Sequence, residues 1–215
     1  MRSMVEGRAA LRPCGPCPNA NGAMTNPAKT ELRRKLRAAR QAHVAALPNN
    51  IRGLLFHRPP APLLARIPAE AIIGVYHAAP FEAPAAAYAR FFHEAGHTIA
   101  LPHFTAPDTR MSFRRHADPH GETGLAPGPF GVLQPEDDAE RLVPDILFVP
   151  LVGFTPALAR LGQGGGHYDR WLAEHPPMLA VGLAWDAQAC DALPCEPHDR
   201  PLDAVVTPTR IYGNL

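Results

Sequence analysis

The sequence predicts an α/β protein: a three-layer α/β/α, Rossmann-like arrangement with a mainly parallel sheet, in a single domain. Three observations predict it. Apolar runs at 71–76, 97–102, 145–152 and 178–184 have the length and β-branched content of buried strands. A helical pattern at 85–95 joins the first two in a β-loop-α-β unit, which makes those strands parallel. After the third run, Gly162, Gly164, Gly165 and Gly166 cluster ahead of a helix beginning near Tyr168, a strand-to-helix turn rich in glycine.

The elements follow in order. Residues 1–27 are rich in Pro, Gly, Asn and Arg and lack periodicity, so a disordered tail is expected, with the folded domain over 28–215. The tail holds Cys14-Gly15-Pro16-Cys17, the tetrapeptide of dithiol redox sites. No strand precedes it and no good helix follows, so neither redox nor zinc chemistry is expected. Residues 25–47 read as a helix opened by Asn26-Pro27, with Leu32, Leu36, Ala39 and His43 on one face. Lys29, Arg33, Arg34, Lys35, Arg37 and Arg40 crowd the rest. That pattern reads as a solvated basic face, or, for Lys29 and Arg33 at i and i+4, as a pair reaching one anion. Prolines break 51–66 into short helical pieces. A short strand at 111–115, a long loop at 116–135, a short helix at 185–188 and a last strand at 202–207 complete the chain. His93-Glu94-Ala95-Gly96-His97 spells the H-E-x-x-H zinc signature. Gly96 stands where that helix must end, so the two imidazoles do not share a helical face.

The 215 residues are 46% hydrophobic, enough for a sizeable core. The net charge of +1 implies no general affinity for nucleic acid or membrane. No run approaches the ~18 apolar residues of a membrane span. Four cysteines in a chain of this length do not suggest a disulfide framework; the cytoplasm and a monomer are expected.

Glycines at a strand-to-helix turn reach φ > 0 without strain and let backbone N–H groups approach a ligand. Successive N–H groups and the helix dipole make a nest for an anion, most simply a nucleotide phosphate. A tight turn that merely needs glycine is the plain alternative. In open α/β sheets ligands sit beyond the carboxyl ends of the strands, which puts the loop from His77 to Glu82 beside the glycines.

The segment Arg160-Leu161-Gly162-x-Gly164-x-Gly166-x-Tyr168-Asp169-Arg170 resembles the 5-formyltetrahydrofolate cyclo-ligase family. Supporting pieces are Lys29-x-x-Leu32-Arg33, Pro127-x-Pro129-Phe130-Gly131, Val181-Gly182-Leu183-Ala184 and 196–204. The resemblance implies an ATP- and magnesium-dependent closure of 5-formyltetrahydrofolate, with or without a polyglutamate tail, to 5,10-methenyltetrahydrofolate, releasing ADP and phosphate. It implies that ATP phosphorylates the formyl oxygen, N10 attacks the activated carbon and phosphate leaves. By the same resemblance, Lys29, Thr30, Glu31, Leu32 and Arg33 form one ATP contact. Arg160, Leu161, Gly162, Gln163, Gly164, Gly165, Gly166, His167 and Tyr168 form the main ATP loop. Asp169 and Asp203 are the magnesium carboxylates. His77, Glu82 and the stretch Gln163, Gly164, Gly165, Gly166 and His167 face the folate. Lys29, Arg33, Arg160 and Asp169 carry the charge neutralisation that phosphoryl transfer needs.

The chain departs from the family pattern in Phe154-Thr155-Pro156-Ala157-Leu158, where Phe-Asp-x-x-Gly is usual, and in His167, where Tyr is usual. A homologue that holds folate or nucleotide without turnover, or a sugar-phosphate isomerase-like α/β enzyme, are the competing readings.

Overall fold

The computed structural model describes residues 27–215 except Gly53 and Pro197. The proposed tail, its Cys14/Cys17 pair and the Asn26 cap lie outside the described residues.

Helix α1 (Pro27–Ala46) leads into short helices α2 (Asn49–Arg52) and α3 (Ala61–Leu64), the pieces that the prolines dictate. Strand β1 (Ile73–Gly74), helix α4 (Ala86–Glu94) and strand β2 (Ile99–His103) form the expected parallel unit. Strand β3 (Ser112–Arg115), the hairpin β4 (Leu125–Pro127) and β5 (Leu133–Pro135), and β6 (Arg141–Leu142) follow. Strand β7 (Ile146–Pro150) precedes a second hairpin, β8 (Gly153–Phe154) with β9 (Arg160–Leu161), and then α5 (His167–Glu174). The chain closes with β10 (Leu179–Leu183), a 3-10 turn at Asp186–Gln188, β11 (Ala204–Val206) and β12 (Ile211–Gly213).

The eight-stranded sheet runs β12-β11-β10-β7-β1-β2-β3-β6. Its five central strands, β11 to β2, are parallel; β12 and β3 run antiparallel to them, and β6 pairs antiparallel with β3 at the edge. Alternation along β7 divides the core between the two faces, because successive side chains point to opposite sides of a sheet. Ile146 and Phe148 pack with Leu63, Tyr88 and Phe92 beneath α3 and α4. Leu147 and Val149 pack with Trp171 and Leu172 of α5. The structure is thus the three-layer α/β fold the sequence implies.

The structure corrects three readings of the sequence and adds an edge strand. The long loop at 116–135 contains the β4–β5 hairpin, closed by Gly131 at φ 72°. Arg160 and Leu161 are a strand, so the glycine loop leaves a small hairpin rather than the central strand itself. The C-terminal residues form an edge strand that its short, partly exposed pattern hides. On α1 the buried positions are Lys29, Leu36, Arg40 and Val44, while Ala39 is exposed. The inward stripe is therefore rotated toward cations.

Strand β1 lies between β2 and β7: the chain builds the sheet from β1 outward through β2 on one side, then returns to build from β7 outward on the other. This is a topological switch point, and the crevice beyond its carboxyl end is where ligands bind in open α/β sheets.

Candidate active site

A cleft of about 690 Å³ opens at that crevice. Its floor includes Tyr76, His77 and Pro150, which follow or end β1 and β7. The glycine loop, α1, the loop of Glu82 and the 196–199 segment enclose it.

The glycine loop has the backbone that glycine alone makes easy. Gly164 sits at φ 114° and Gly166 at φ 64°, the latter as N-cap of α5. A Cβ on Gly165 would lie 2.7 Å from the His167 ring, so a larger residue there would have to displace that ring. The loop's N–H groups and the α5 dipole together favour an anion.

Cations surround it. Arg33 Nε donates to Gly162 O at 2.9 Å and steadies the loop from α1. Lys29 is 5% exposed and is held by Asp199 at 2.7 Å and Glu196 at 3.0 Å. Burial pulls the Lys29 ammonium pKa down, but the two carboxylates outweigh it and hold the group above its ordinary value. Arg160 is buried and pairs through Nη2 with Asp169 Oδ1 at 2.6 Å, while Nη1 donates to Arg200 O. Burial lowers its pKa and Asp169 opposes that; a guanidinium stays charged at neutral pH regardless.

Glu82 closes the other wall. Its Oε1 accepts from Gln163 Nε2 at 2.6 Å and its Oε2 from Ala79 N–H at 3.0 Å. Gln163 in turn accepts from Arg37 Nη2 at 2.6 Å, so the glycine loop is strapped to α1 and to the 77–82 loop. The phenols of Tyr76 and Tyr168 are pushed up, first by desolvation and then by Glu82, and remain neutral. At the mouth, Phe104, Phe130 and His167 form an edge-to-face cluster, with Phe104 4.9 Å from both other rings. Arg170 donates to His167 Nδ1 at 3.0 Å, since a guanidinium cannot accept.

Of the residues singled out from sequence, Lys29, Arg33, His77, Glu82, Asp169 and the whole stretch 160–168 line this one cleft. Three others on α1 do not. Glu31 is exposed and pairs with Arg34 at 2.7 Å, Thr30 is exposed, and Leu32 packs on the small cluster with Leu36 and Leu161. Asp203 is the clearest correction. It precedes β11, at the amino ends of the parallel strands, and its Oδ2 accepts from Ala180 N–H at 2.7 Å. The cleft instead receives Glu196, His198 and Asp199, whose ligand atoms lie within 4.8 Å of one another. Sequence reasoning also missed Arg40 and the bonding role of Arg37. Their spacing after Lys29 and Arg33, at 37 and 40, continues the same helical face and carried the signal.

The departures from the family pattern are accommodated locally. Leu158 adopts φ 68°, the left-handed conformation for which glycine is suited, and donates N–H to Thr155 O at 2.9 Å. Holding Leu158 in that conformation costs about 1–3 kcal/mol in backbone strain. Thr155 Oγ1 is buried without a hydrogen-bond partner. The H-E-x-x-H residues separate as expected. Helix α4 ends at Glu94, Gly96 takes φ 92°, and the His97 ring nitrogen meets Ala71 O at 3.0 Å.

The fold and cleft define a class: an α/β domain with a glycine-loop anion cradle at the switch point of a parallel sheet. Residues 25–208 match the model of the 5-formyltetrahydrofolate cyclo-ligase family. The chain belongs to that family. It is 38% identical over 99 residues to the 5-formyltetrahydrofolate cyclo-ligase of Escherichia coli K12, covering 43% of this chain and 54% of that one. The Haemophilus influenzae protein of the same name is 39% identical over 87 residues, 38% of this chain and 46% of that one. The chain thus spans about half the length of the curated relatives it matches. Two solved structures share the fold. The Aquifex aeolicus 5,10-methenyltetrahydrofolate synthetase has a TM-score of 0.58 and 24% identity, covering 86% of this chain and 92% of that one. The Mycoplasma pneumoniae synthetase has 0.60 and 22%, covering 82% and 96%. Among the described residues no helix is long and apolar enough to cross a membrane.

Proposed function

We propose that this protein closes 5-formyltetrahydrofolate to 5,10-methenyltetrahydrofolate at the expense of ATP. The observation that carries the reading is the convergence of a glycine cradle, Lys29, Arg33 and buried Arg160 on one cleft whose far wall is Glu82. Phosphoryl transfer needs positioning and charge neutralisation more than a nucleophilic side chain. The described cleft lining contains no Ser, Thr or Cys, in keeping with that chemistry.

In the proposed sequence the formyl oxygen attacks the γ-phosphorus and ADP leaves. N10 then attacks the activated formyl carbon and gives up its proton, and the C–O bond breaks to release phosphate, which can carry that proton away. The loop N–H groups hold the phosphate oxygens, and Lys29 and Arg33 balance their charge. Arg160 fixes Asp169 at the start of α5. The aromatic edge cluster of Phe104, Phe130 and His167 offers a wall against which a flat ring packs.

The donor set fits magnesium. Asp169 and Asp199 present hard carboxylate oxygens at the phosphate side of the cleft, and Mg²⁺ commonly takes one or two carboxylates plus phosphate oxygens. Asp203 does not fit, because it stands at the amino ends of the parallel strands, outside the cleft lining. Bound there, the metal would neutralise charge on the transferring phosphoryl group.

The test is an absorbance assay for the methenyl product with ATP and magnesium, repeated without ATP. Product formed only with ATP, matched by ADP, is expected. ATP-independent turnover, or binding of both ligands without turnover, would overturn the reading.

A further inference from the structure

Arg40 is a buried cation of the cleft wall whose hydrogen-bonding capacity the folded chain leaves largely unused. It lies on the inner face of α1, 6% exposed, and lines the cleft beside Glu82. Its Nε and Nη1 are buried without a hydrogen-bond partner. The nearest anion is Glu82 Oε1, 3.7 Å from Nη1, which is too long for a hydrogen bond. Glu82 is engaged elsewhere, with Gln163 and the Ala79 N–H. Burial is the largest influence on Arg40 and lowers its pKa, Glu82 works against it, and neighbouring Arg37 adds repulsion. A buried guanidinium whose ion pair supplies no hydrogen bond to these two nitrogens is costly, and an apolar side chain of similar volume would serve packing better. Groups kept against stability in this way concentrate at functional sites.

Resting on the function proposed above, and on Glu82 facing the folate as the family resemblance implies, we propose that Arg40 reads the carbonyl on the pyrimidinone edge of the reduced folate. That edge presents an exocyclic amino group and a ring N–H, both donors, next to a carbonyl oxygen, an acceptor. A carboxylate answers the two donors, and a guanidinium beside it answers the carbonyl. The Gln163 carboxamide already offers Glu82 an N–H₂ donor of the same kind, and folate takes its place. Arg40 gains from the carbonyl oxygen the acceptor that the chain does not supply.

The experiment is direct titration of 5-formyltetrahydrofolate, without ATP, into wild type and Arg40→Met. Binding of a non-hydrolysable ATP analogue and thermal unfolding are measured on the same samples. The expected result is folate affinity weaker by about tenfold to a hundredfold, as for loss of a charged hydrogen bond. Analogue binding is unchanged and the melting temperature is no lower. A tetrahydrofolate analogue with an amino group in place of the C4 oxygen binds wild type less well than its parent, and Arg40→Met no longer discriminates. Should Arg40→Met fail to fold, Arg40→Lys answers the same question: weakened folate with analogue binding retained is expected. Wild-type folate affinity in either variant overturns the proposal. So does equal loss of both ligands with a lowered melting temperature, which would make Arg40 a structural strut. A wild-type protein that binds no reduced folate overturns both this inference and the proposed function, and the wild-type titration distinguishes that case.

Discussion

Replacing Gly164 by valine tests whether the glycine loop is built for a ligand or only for a turn. Gly164 sits at φ 114°, beyond the small left-handed region that L-residues visit. A β-branched residue there is strained by about 1–3 kcal/mol. For a domain of this size that corresponds to a fall in melting temperature of roughly 2–12 °C. Domain stabilities are about 5–15 kcal/mol, so the variant folds. The added Cβ meets Arg33 Cζ at 3.5 Å, an ordinary contact, but the valine methyls extend beyond it. They press on the guanidinium that holds Gly162 O and stand where phosphate oxygens approach the loop. Losing one charge-assisted contact weakens ATP binding about tenfold to a hundredfold. Gly162→Ala is the control, since its Cβ would meet nothing within 4 Å and its φ is not positive. ATP titration, thermal unfolding and the methenyl absorbance assay are run on all three proteins. A folded Gly164→Val protein with wild-type ATP affinity and turnover would refute the cradle. Equal losses in the Gly162→Ala control would show that any change to the loop suffices.

Three further outcomes follow from the geometry. Asp169→Asn and Asp199→Asn raise the magnesium concentration needed for half-maximal turnover, whereas Asp203→Asn leaves it unchanged and costs about 1 kcal/mol of stability through the Ala180 amide; a magnesium titration and a melting curve of each variant check this. Thr155→Val removes a buried hydroxyl that has no partner and leaves the melting temperature equal or a few degrees higher; a clear fall would mean that the hydroxyl is bonded in solution. Because the Lys29 pKa is raised in the folded state, its pairing contributes fully below the unfolded value of about 10.4 and is lost as pH rises through the folded value. Wild type therefore loses stability above that pH more steeply than Lys29→Met, and parallel alkaline unfolding curves would show that the pair contributes nothing.

The layering of this fold was legible because its central strands are buried on both faces and read as continuous apolar runs. What stayed hidden was held by short-range geometry. The β8–β9 pairing spans two residues on each side, too few to show alternation. Strand β12 is partly exposed and pairs only at the sheet edge. The glycine loop was legible because glycine marks backbone conformations directly, as φ at Gly164 and Gly166 bears out. The carboxylates were not. Asp199 and Asp203 lie four residues apart in one segment, and only the strand register separates them. Asp203 enters β11 at the amino ends of the parallel strands, while the loop before it carries Asp199 to the cleft.

Helix α1 shows why composition misread the other half of the site. Amphipathic reasoning assigns apolar positions inward and charges outward. Here the inward face alternates, Lys29 and Arg40 buried with Leu36 and Val44. Leu36 and Val44 anchor the helix in two separate clusters, Leu36 with Val152 and Leu161, Val44 in the main core. Those anchors hold the cations of the helix in register with the cleft. Lys29 finds Asp199 and Glu196 there, Arg33 finds Gly162 O, and Arg37 finds Gln163. The helix is thus docked as much by polar bonds to the site as by apolar burial. Ligand binding and the docking of α1 draw on the same side chains, so occupancy of the cleft also changes how firmly this helix is held.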